Sequence, residues 1–129
     1  LTVNEADESI ESRYSAKLLF QFRVVVQGDS GIMRTCEERI IVFRAPGARR
    51  ALAEAKRRGR KAQHDYRNSD GNRVFFEFVG VMDLLSLGPE CDDEEVWYDI
   101  VVRKQPMERA AQLLPDESEL SAIREIRVR

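Results

Sequence analysis

Residues 14–26 alternate: Ala16, Leu18, Phe20, Phe22, Val24 and Val26 take every second place, and Ser15, Lys17, Leu19, Gln21, Arg23 and Val25 fill the gaps. A period of two with aromatic and β-branched residues belongs to a strand with one face on a core. Such a strand needs partner strands and a covering layer, which narrows the possible folds more than any other feature here. Gly28–Asp29–Ser30–Gly31 supplies turn chemistry directly afterwards. A second apolar run over 35–44, with Ile40, Ile41, Val42 and Phe43, reads as the returning strand of a hairpin.

Pro46 stops that strand and suits the first turn of a helix. Ala48, Ala51, Leu52, Ala55, Gly59, Ala62 and Tyr66 then recur at steps of three and four, which predicts a helix over 46–66 with a narrow face of small residues. Such a face lets a helix lie close to a sheet, with Gly59 expected at the nearest approach. Asn68–Ser69–Asp70–Gly71–Asn72 ends the helix and turns the chain. A third strand is expected over 73–82, with Val74, Phe76, Phe78 and Met82 on one face. A connection over 83–95 would hold one helical turn at Leu84–Leu85–Ser86–Leu87, and a fourth strand would span 96–103. Short helices are expected over 107–114 and 117–126, with Ile126–Val128 also suiting a short strand.

The expected architecture is therefore α+β, in the order β-β-α-β-β. It has a four-stranded, mostly antiparallel sheet, one long helix on one face and helical C-terminal segments. Its parts are an acidic, mobile lead-in over 1–13, the α+β domain over 14–104 and a helical tail over 105–129 that packs on the domain or on a partner. The predicted second sheet face carries Leu19, Val25, Ile41, Phe43, Phe75, Val79, Val81, Trp97 and Val101, too apolar for open water. This motivates an expected homodimer or other partner across the sheet.

A chain of 129 residues suits one domain. No apolar run approaches a membrane span, and Asn4–Glu5–Ala6–Asp7–Glu8 lacks the basic start and apolar core of a signal peptide. The only cysteines, Cys36 and Cys91, show no C-x-x-C spacing and are expected to be reduced. A cytoplasmic setting without a membrane partner is expected.

Several phrases, taken in order, resemble a known family. They are Tyr14–Ser15–Ala16–Lys17–Leu18–Leu19–Phe20, Glu37–Glu38–Arg39–Ile40–Ile41–Val42–Phe43–Arg44–Ala45, the Ala-rich helix, Tyr66–Arg67–Asn68–Ser69–Asp70–Gly71 leading to Phe76–Glu77–Phe78–Val79–Gly80–Val81–Met82–Asp83–Leu84, and Glu95–Val96–Trp97–Tyr98. Together they are similar to the bacterial family catalogued as domain of unknown function 4288. The resemblance implies a small bacterial α+β domain in the cytoplasm, and it carries no activity, cofactor or catalytic residue.

The residues themselves offer several chemistries. Gly28–Asp29–Ser30–Gly31 matches the nucleophile segment of chymotrypsin-like proteases, but that chemistry needs an oriented His base on a two-barrel scaffold. With one histidine, the segment reads as a hairpin turn. A polar site for a small ligand or reaction could be built from Glu38, His64, Tyr66, Asn68 and Asp70, set against His64 as a solvated residue near a helix C-terminus. The acidic surface Asp92, Asp93, Glu94 and Glu95 has no calcium-loop spacing and reads as a solvated loop. No metal and no cofactor are expected.

Charge is the more informative signal. Net charge is only −2, from 21 Lys and Arg against 23 Asp and Glu. Yet Arg49, Arg50, Lys56, Arg57, Arg58, Arg60, Lys61 and Arg67 crowd one helix, leaving Arg49, Arg50, Lys56, Arg57, Arg60 and Lys61 as an expected basic surface. Three readings stay open: a solubilising face, a non-catalytic module that binds a protein or itself by charge pairing, and weak nucleic-acid binding through phosphates. Binding of a protein partner is the preferred expectation over catalysis.

Overall fold

A computed structural model describes residues 11–88, 94, 96–97, 100–120 and 123–124. The chain forms two compact units, Leu1–Tyr98 and Asp99–Arg129. The first holds strands β1 (Ser12–Val25) and β2 (Thr35–Ala45), helix α1 (Ala48–Ala62), and strands β3 (His64–Arg67) and β4 (Arg73–Gly88). The strands make one four-stranded sheet in the order β2-β1-β4-β3, antiparallel throughout. The second unit holds a short helix α2 (Ala110–Leu113) and a 3-10 turn (Glu117–Glu119). The α+β class and the single long helix match expectation, whereas the assignment of strands matches only in part.

The β1–β2 hairpin forms where the alternation places it. Its register runs without a break from Ser12 opposite Ala45 to Phe22 opposite Thr35. The turn chemistry also holds: Val26 and Asp29 exchange backbone hydrogen bonds of 2.9 and 3.0 Å. Gly28 and Gly31 take φ of 83° and 69°, which a side chain would oppose. Directly opposed residues share a sheet face. Tyr14 faces Phe43 and Ala16 faces Ile41, so Phe43 and Ile41 lie on the helix side rather than on the second face as expected.

The core sits between that side of the sheet and α1. It consists of Tyr14, Ala16, Leu18 and Phe20 of β1, Phe43 and Ala45 of β2, Ala51 and Ala55 of α1, and Phe76 of β4. Phe20 and Phe76 stack with centroids 4.6 Å apart, and Phe20 is fully buried. Ala51, Ala55 and Gly59, four residues apart on one line of the helix, are the buried residues of α1. A Cβ on Gly59 would land 2.5 Å from Cδ1 of Phe78 and nearer still to Cε1. The expected close approach at Gly59 is thus present, and it is made against the Phe78 ring.

The helix is shorter than its periodicity suggests. It ends at Ala62, and Gln63 takes extended φ and ψ of −61° and 139°. His64–Arg67 then pair with β4, His64 opposite Phe76 and Tyr66 opposite Val74. The step of four from Ala62 to Tyr66 continues the helical stripe, but the hairpin through Asn68–Asn72 offers backbone partners on a ready edge. Pairing wins over periodicity.

β4 is longer than expected, and it is bulged. Its register against β1 shifts at three places. Gly80 faces Leu19 and Phe78 faces Phe20, so Val79 is an extra residue. Val81 faces Leu18 and Asp83 faces Lys17, which makes Met82 extra, and Leu87 is extra between Ser86 and Gly88. Each bulge bends the strand and reverses its alternation. The helix side therefore takes Val74, Phe76, Phe78, Val81 and Leu84, and Met82 is 51 % exposed instead of joining them. The steps of three from Phe78 to Val81 to Leu84 mimic a helix, so the expected helical turn at 84–87 is strand.

The expected strand over 96–103 is not formed by its described residues, 96–97 and 100–103; Tyr98 and Asp99 lie outside them. The fourth strand is β3 instead. Of the expected tail helices, that over 107–114 is reduced to Ala110–Leu113, bounded by Pro106 and Pro115, and that over 117–126 to the 3-10 turn with helical Ile123 and Arg124. The lead-in residues 1–10 and the segment 126–128 also lie outside the described residues.

Ile41, Phe43 and Val81 leave the second sheet face for the helix side, and Ile40, Val42 and Leu85 take places on it beside polar groups. Lys17 stands opposite Asp83 and 3.4 Å from Glu38. Gln21, Arg23 and Glu77 form a bonded group on the same face. The apolar residues that suggested a partner across this face are thus interleaved with paired charges, and the end of the face at Arg13 and Ser15 is buried.

Candidate functional site

Two arrangements on the first unit carry chemistry: the outer face of α1 and the polar groups around the β3–β4 hairpin.

On α1 the buried line fixes where the charges go. At roughly 100° per residue, Lys56, Arg49, Arg60, Arg57, Arg50 and Lys61 fan across an arc on the order of 140° opposite Ala55. All six are exposed. Arg49 to Lys61 spans about 18 Å along the axis at ~1.5 Å per residue. The expected basic surface is therefore one continuous strip. Its only acid, Glu54, lies at the edge of the arc and is captured from two sides. Arg57 donates to both of its carboxylate oxygens at 2.8 and 2.7 Å, and Arg58 Nε donates at 2.7 Å. These two arginines hold the Glu54 carboxyl down at about 2, well below the usual range. Arg58 also lies 5.0 Å from the centroid of Phe43, which draws it towards the core side. Among the described residues, Arg49, Arg50, Lys56, Arg60 and Lys61 have no acidic partner.

The proposed polar site is scattered. Glu38 is on β2 and His64 on β3, the two edges of the sheet, and Glu38 is engaged by Lys17. Three strand spacings of ~4.8 Å separate such edges by about 14 Å. His64 and Tyr66 do come together, stacked with centroids 5.9 Å apart, and His64 lies 5.1 Å from Phe76. The imidazole is exposed, with Nδ1 3.0 Å from the Ala62 carbonyl oxygen. Asn68 builds the turn: its Oδ1 accepts from the N–H of Asp70 and of Asn72, each at 3.0 Å. Asp70 is exposed at the turn tip.

A shallow concavity of about 350 Å³ is lined by Gln63, His64, Asp65, Phe75, Phe76 and Glu77. Its carboxylates are both spoken for. Asp65 pairs with Arg73 at 2.6 Å. Glu77 accepts from Arg23 at 2.9 and 3.0 Å and from Gln21 at 2.9 Å. Arg23 first, and then Gln21, hold the Glu77 carboxyl down at about 2. A carboxylate held ionised in this way is a poor proton donor near neutral pH. Arg23 is fixed further by Ser30 Oγ at 3.2 Å and by the Phe75 ring at 4.5 Å. Ser30, the serine of the protease-like tetrapeptide, is thus a loop anchor.

Neither the Arg23–Glu77 group nor the capture of Glu54 was among the expected sites. The latter had a signal, since arginines three and four residues after a glutamate on a helix meet it. The former depends on β1–β4 register. Of the expected acidic surface, Glu94 is exposed, and Asp92, Asp93 and Glu95 lie outside the described residues. Cys36 is a free, exposed thiol, and Cys91 lies outside the described residues. The second unit has a concavity of about 470 Å³ lined by Arg103, Pro106, Met107, Ala110, Leu113 and Leu114, mostly apolar. Among the described residues no group of three or more His, Cys, Asp or Glu could hold a metal ion. No helix among them is long and apolar enough to cross a membrane.

No curated protein and no solved structure matches the chain. A family model does, over residues 13–97, a span that takes in nearly all of the sheet and the whole of α1 and stops short of the second unit. The chain belongs to the family described as a domain of unknown function, DUF4288.

Proposed function

We propose that this domain is a non-catalytic binding module that seats an acidic segment of a protein partner along the outer face of α1. The observation that carries this reading is the strip of cations from Arg49 to Lys61, in which five have no acidic partner among the described residues. A strip on one rigid helix presents its charges together, which favours encounter with a complementary surface. The small buried residues anchor the opposite side of the helix, so the strip faces outward without cost to the core. The second expected reading, weak nucleic-acid binding, draws on the same charges. It has less support, because the strip offers no aromatic ring for base stacking and the whole chain is slightly acidic. A small-ligand or enzymatic role is supported least: Glu38 and His64 stand on opposite sheet edges, and the concavity beside His64 has both carboxylates paired. A cytoplasmic setting accords with this reading.

The test is fluorescence anisotropy with a labelled oligoglutamate peptide, a duplex and a single-stranded oligonucleotide, each at low and moderate salt. The peptide is expected to bind, and Lys56→Glu with Arg60→Glu to weaken it at least about tenfold, the equivalent of ~1.4 kcal/mol. Binding of oligonucleotides with a steep salt dependence, without binding of the peptide, would replace this reading with the nucleic-acid one.

A further inference from the structure

The two edges of the sheet differ. β3 is four residues long, and beyond it β4 is bulged at three places. Short and bulged edges resist pairing with another chain. β2 has neither protection. It is eleven residues long and its register with β1 is unbroken. It holds no proline or glycine, and among the described residues nothing pairs with its outer edge. Cys36, Glu38, Ile40 and Arg44 along it are exposed.

What β2 has instead is charge, and the charges select a register. Two copies of β2 can pair antiparallel about a two-fold axis normal to the sheet. To keep helix-side residues on the helix side, the axis must pass through a residue that faces its own copy. An axis at Glu38 sets carboxylate against carboxylate, and the Glu37–Arg39 pairs it would also bring together are already made within each strand; one at Arg39 sets guanidinium against guanidinium. At Ile40, Glu38 meets Val42 and Arg44 meets Cys36, with no ionic pair. At Val42, Ile40 meets Arg44 and the overlap shortens. Only an axis at Ile41 places Glu38 opposite Arg44 of the second copy, twice by symmetry. The same axis places Ile40 opposite Val42, Arg39 opposite the Phe43 ring and Ile41 opposite itself. Opposite charges and apolar pairs directly across strands are the stabilising combinations. Glu38 already holds Lys17 through one oxygen, and a carboxylate can accept from a second donor through the other.

We propose that this domain dimerises by antiparallel pairing of β2 with β2 of a second copy, centred on Ile41, to make one continuous eight-stranded sheet. The axis is normal to the sheet, so both α1 helices lie on the same side and both basic strips serve one partner. That bivalent consequence rests on the proposed function above; the dimer itself does not.

Sedimentation velocity over a range of concentrations, with circular dichroism as the folding control, tests the pairing without any ligand. The wild-type chain is expected to dimerise. Glu38→Arg alone and Arg44→Glu alone each set like charges opposite each other twice, and should weaken the dimer about tenfold or more. The exchange of both, Glu38→Arg with Arg44→Glu, should restore it. In a Cys36→Ser background, Ile41→Cys should form an intermolecular disulfide, because residues directly opposite lie within disulfide reach. Native Cys36 should not, since its copy lies many residues away along the pair. A wild-type monomer at every concentration would overturn the proposal. So would a dimer indifferent to the single reversals, or one cross-linked through Cys36. Loss of peptide binding with the dimer intact would count against the basic strip alone.

Discussion

Gly59→Ala sets a gain in helix propensity against a clash of known geometry. In an exposed helix the change would stabilise by about 1 kcal/mol. Here the new Cβ falls 2.5 Å from Cδ1 and 2.6 Å from Cζ of Phe78, about 1 Å or more inside the ~3.5–4.0 Å at which carbons attract. The ring has little room to yield. It leans on Phe20 at a centroid distance of 5.6 Å, and the Phe78 N–H donates to Gln63 Oε1 at 3.0 Å, which ties that part of β4 to the end of α1. Lifting the helix would instead open the contacts of Ala51 and Ala55. Overpacking costs roughly 1–3 kcal/mol, and a contact this close belongs in the upper half of that range, about 2–3 kcal/mol, so the net effect is a loss of about 1–2 kcal/mol. For a domain of this size that lowers Tm by about 5–10 °C. Urea unfolding followed by circular dichroism measures it directly. Phe78→Leu supplies the control: combined with Gly59→Ala it should cost less than the two separate losses added, with a coupling of about 1 kcal/mol. A Gly59→Ala chain more stable than wild type would refute the close approach.

Two further outcomes follow from the polar groups. The Glu77 and Glu54 carboxyls are held at about 2 in the folded chain, below the ~4.3 of an unfolded glutamate. Their stabilisation is therefore present above that unfolded value and fades as pH falls towards 2. Glu77→Gln should lower the urea midpoint at pH 7 and leave a smaller further drop between pH 5 and 2.5; an unchanged acid limb would show that Arg23 does not hold that carboxylate. Asn68→Ala removes the acceptor for two backbone N–H groups of the β3–β4 turn and should cost about 1–2 kcal/mol. A loss below ~0.3 kcal/mol would mean that the turn forms without it.

Much of the first unit is legible in the residues because its strongest signals are local. The alternation over 14–26, the glycine-bearing loop and the run ending at Phe43 specify a hairpin without reference to the rest. The small stripe Ala51–Ala55–Gly59 announces a close helix–sheet contact. Failures arise where a distant partner decides. Tyr66 continues the helical spacing from Ala62, and only the edge of β4 makes it strand. Val81 and Leu84 keep to the core side only because bulges at Val79 and Met82 shift the register, which no period in the sequence records. The candidate site divides in the same way. The basic strip lies within one helix and can be read directly. The Arg23–Glu77 group needs β1 and β4 side by side, and Glu38 and His64 turn out to belong to opposite edges.

The central ladder joins the first strand of the sheet to the last. Val25 pairs with Arg73 and Arg13 with Gly88, so β2, α1 and β3 must all be made before it can close. As the chain leaves the ribosome, β1 and β2 can pair early and α1 can coil, but Gly59 has no Phe78 to rest on and Phe20 no Phe76 to stack against. Closure of so long a loop is slow compared with the local steps. Until β4 emerges, Leu18 and Phe20 stay open to water or to other chains. The newly made domain is therefore most exposed to misassociation over that interval, and synthesis through Gly88 is the event that ends it.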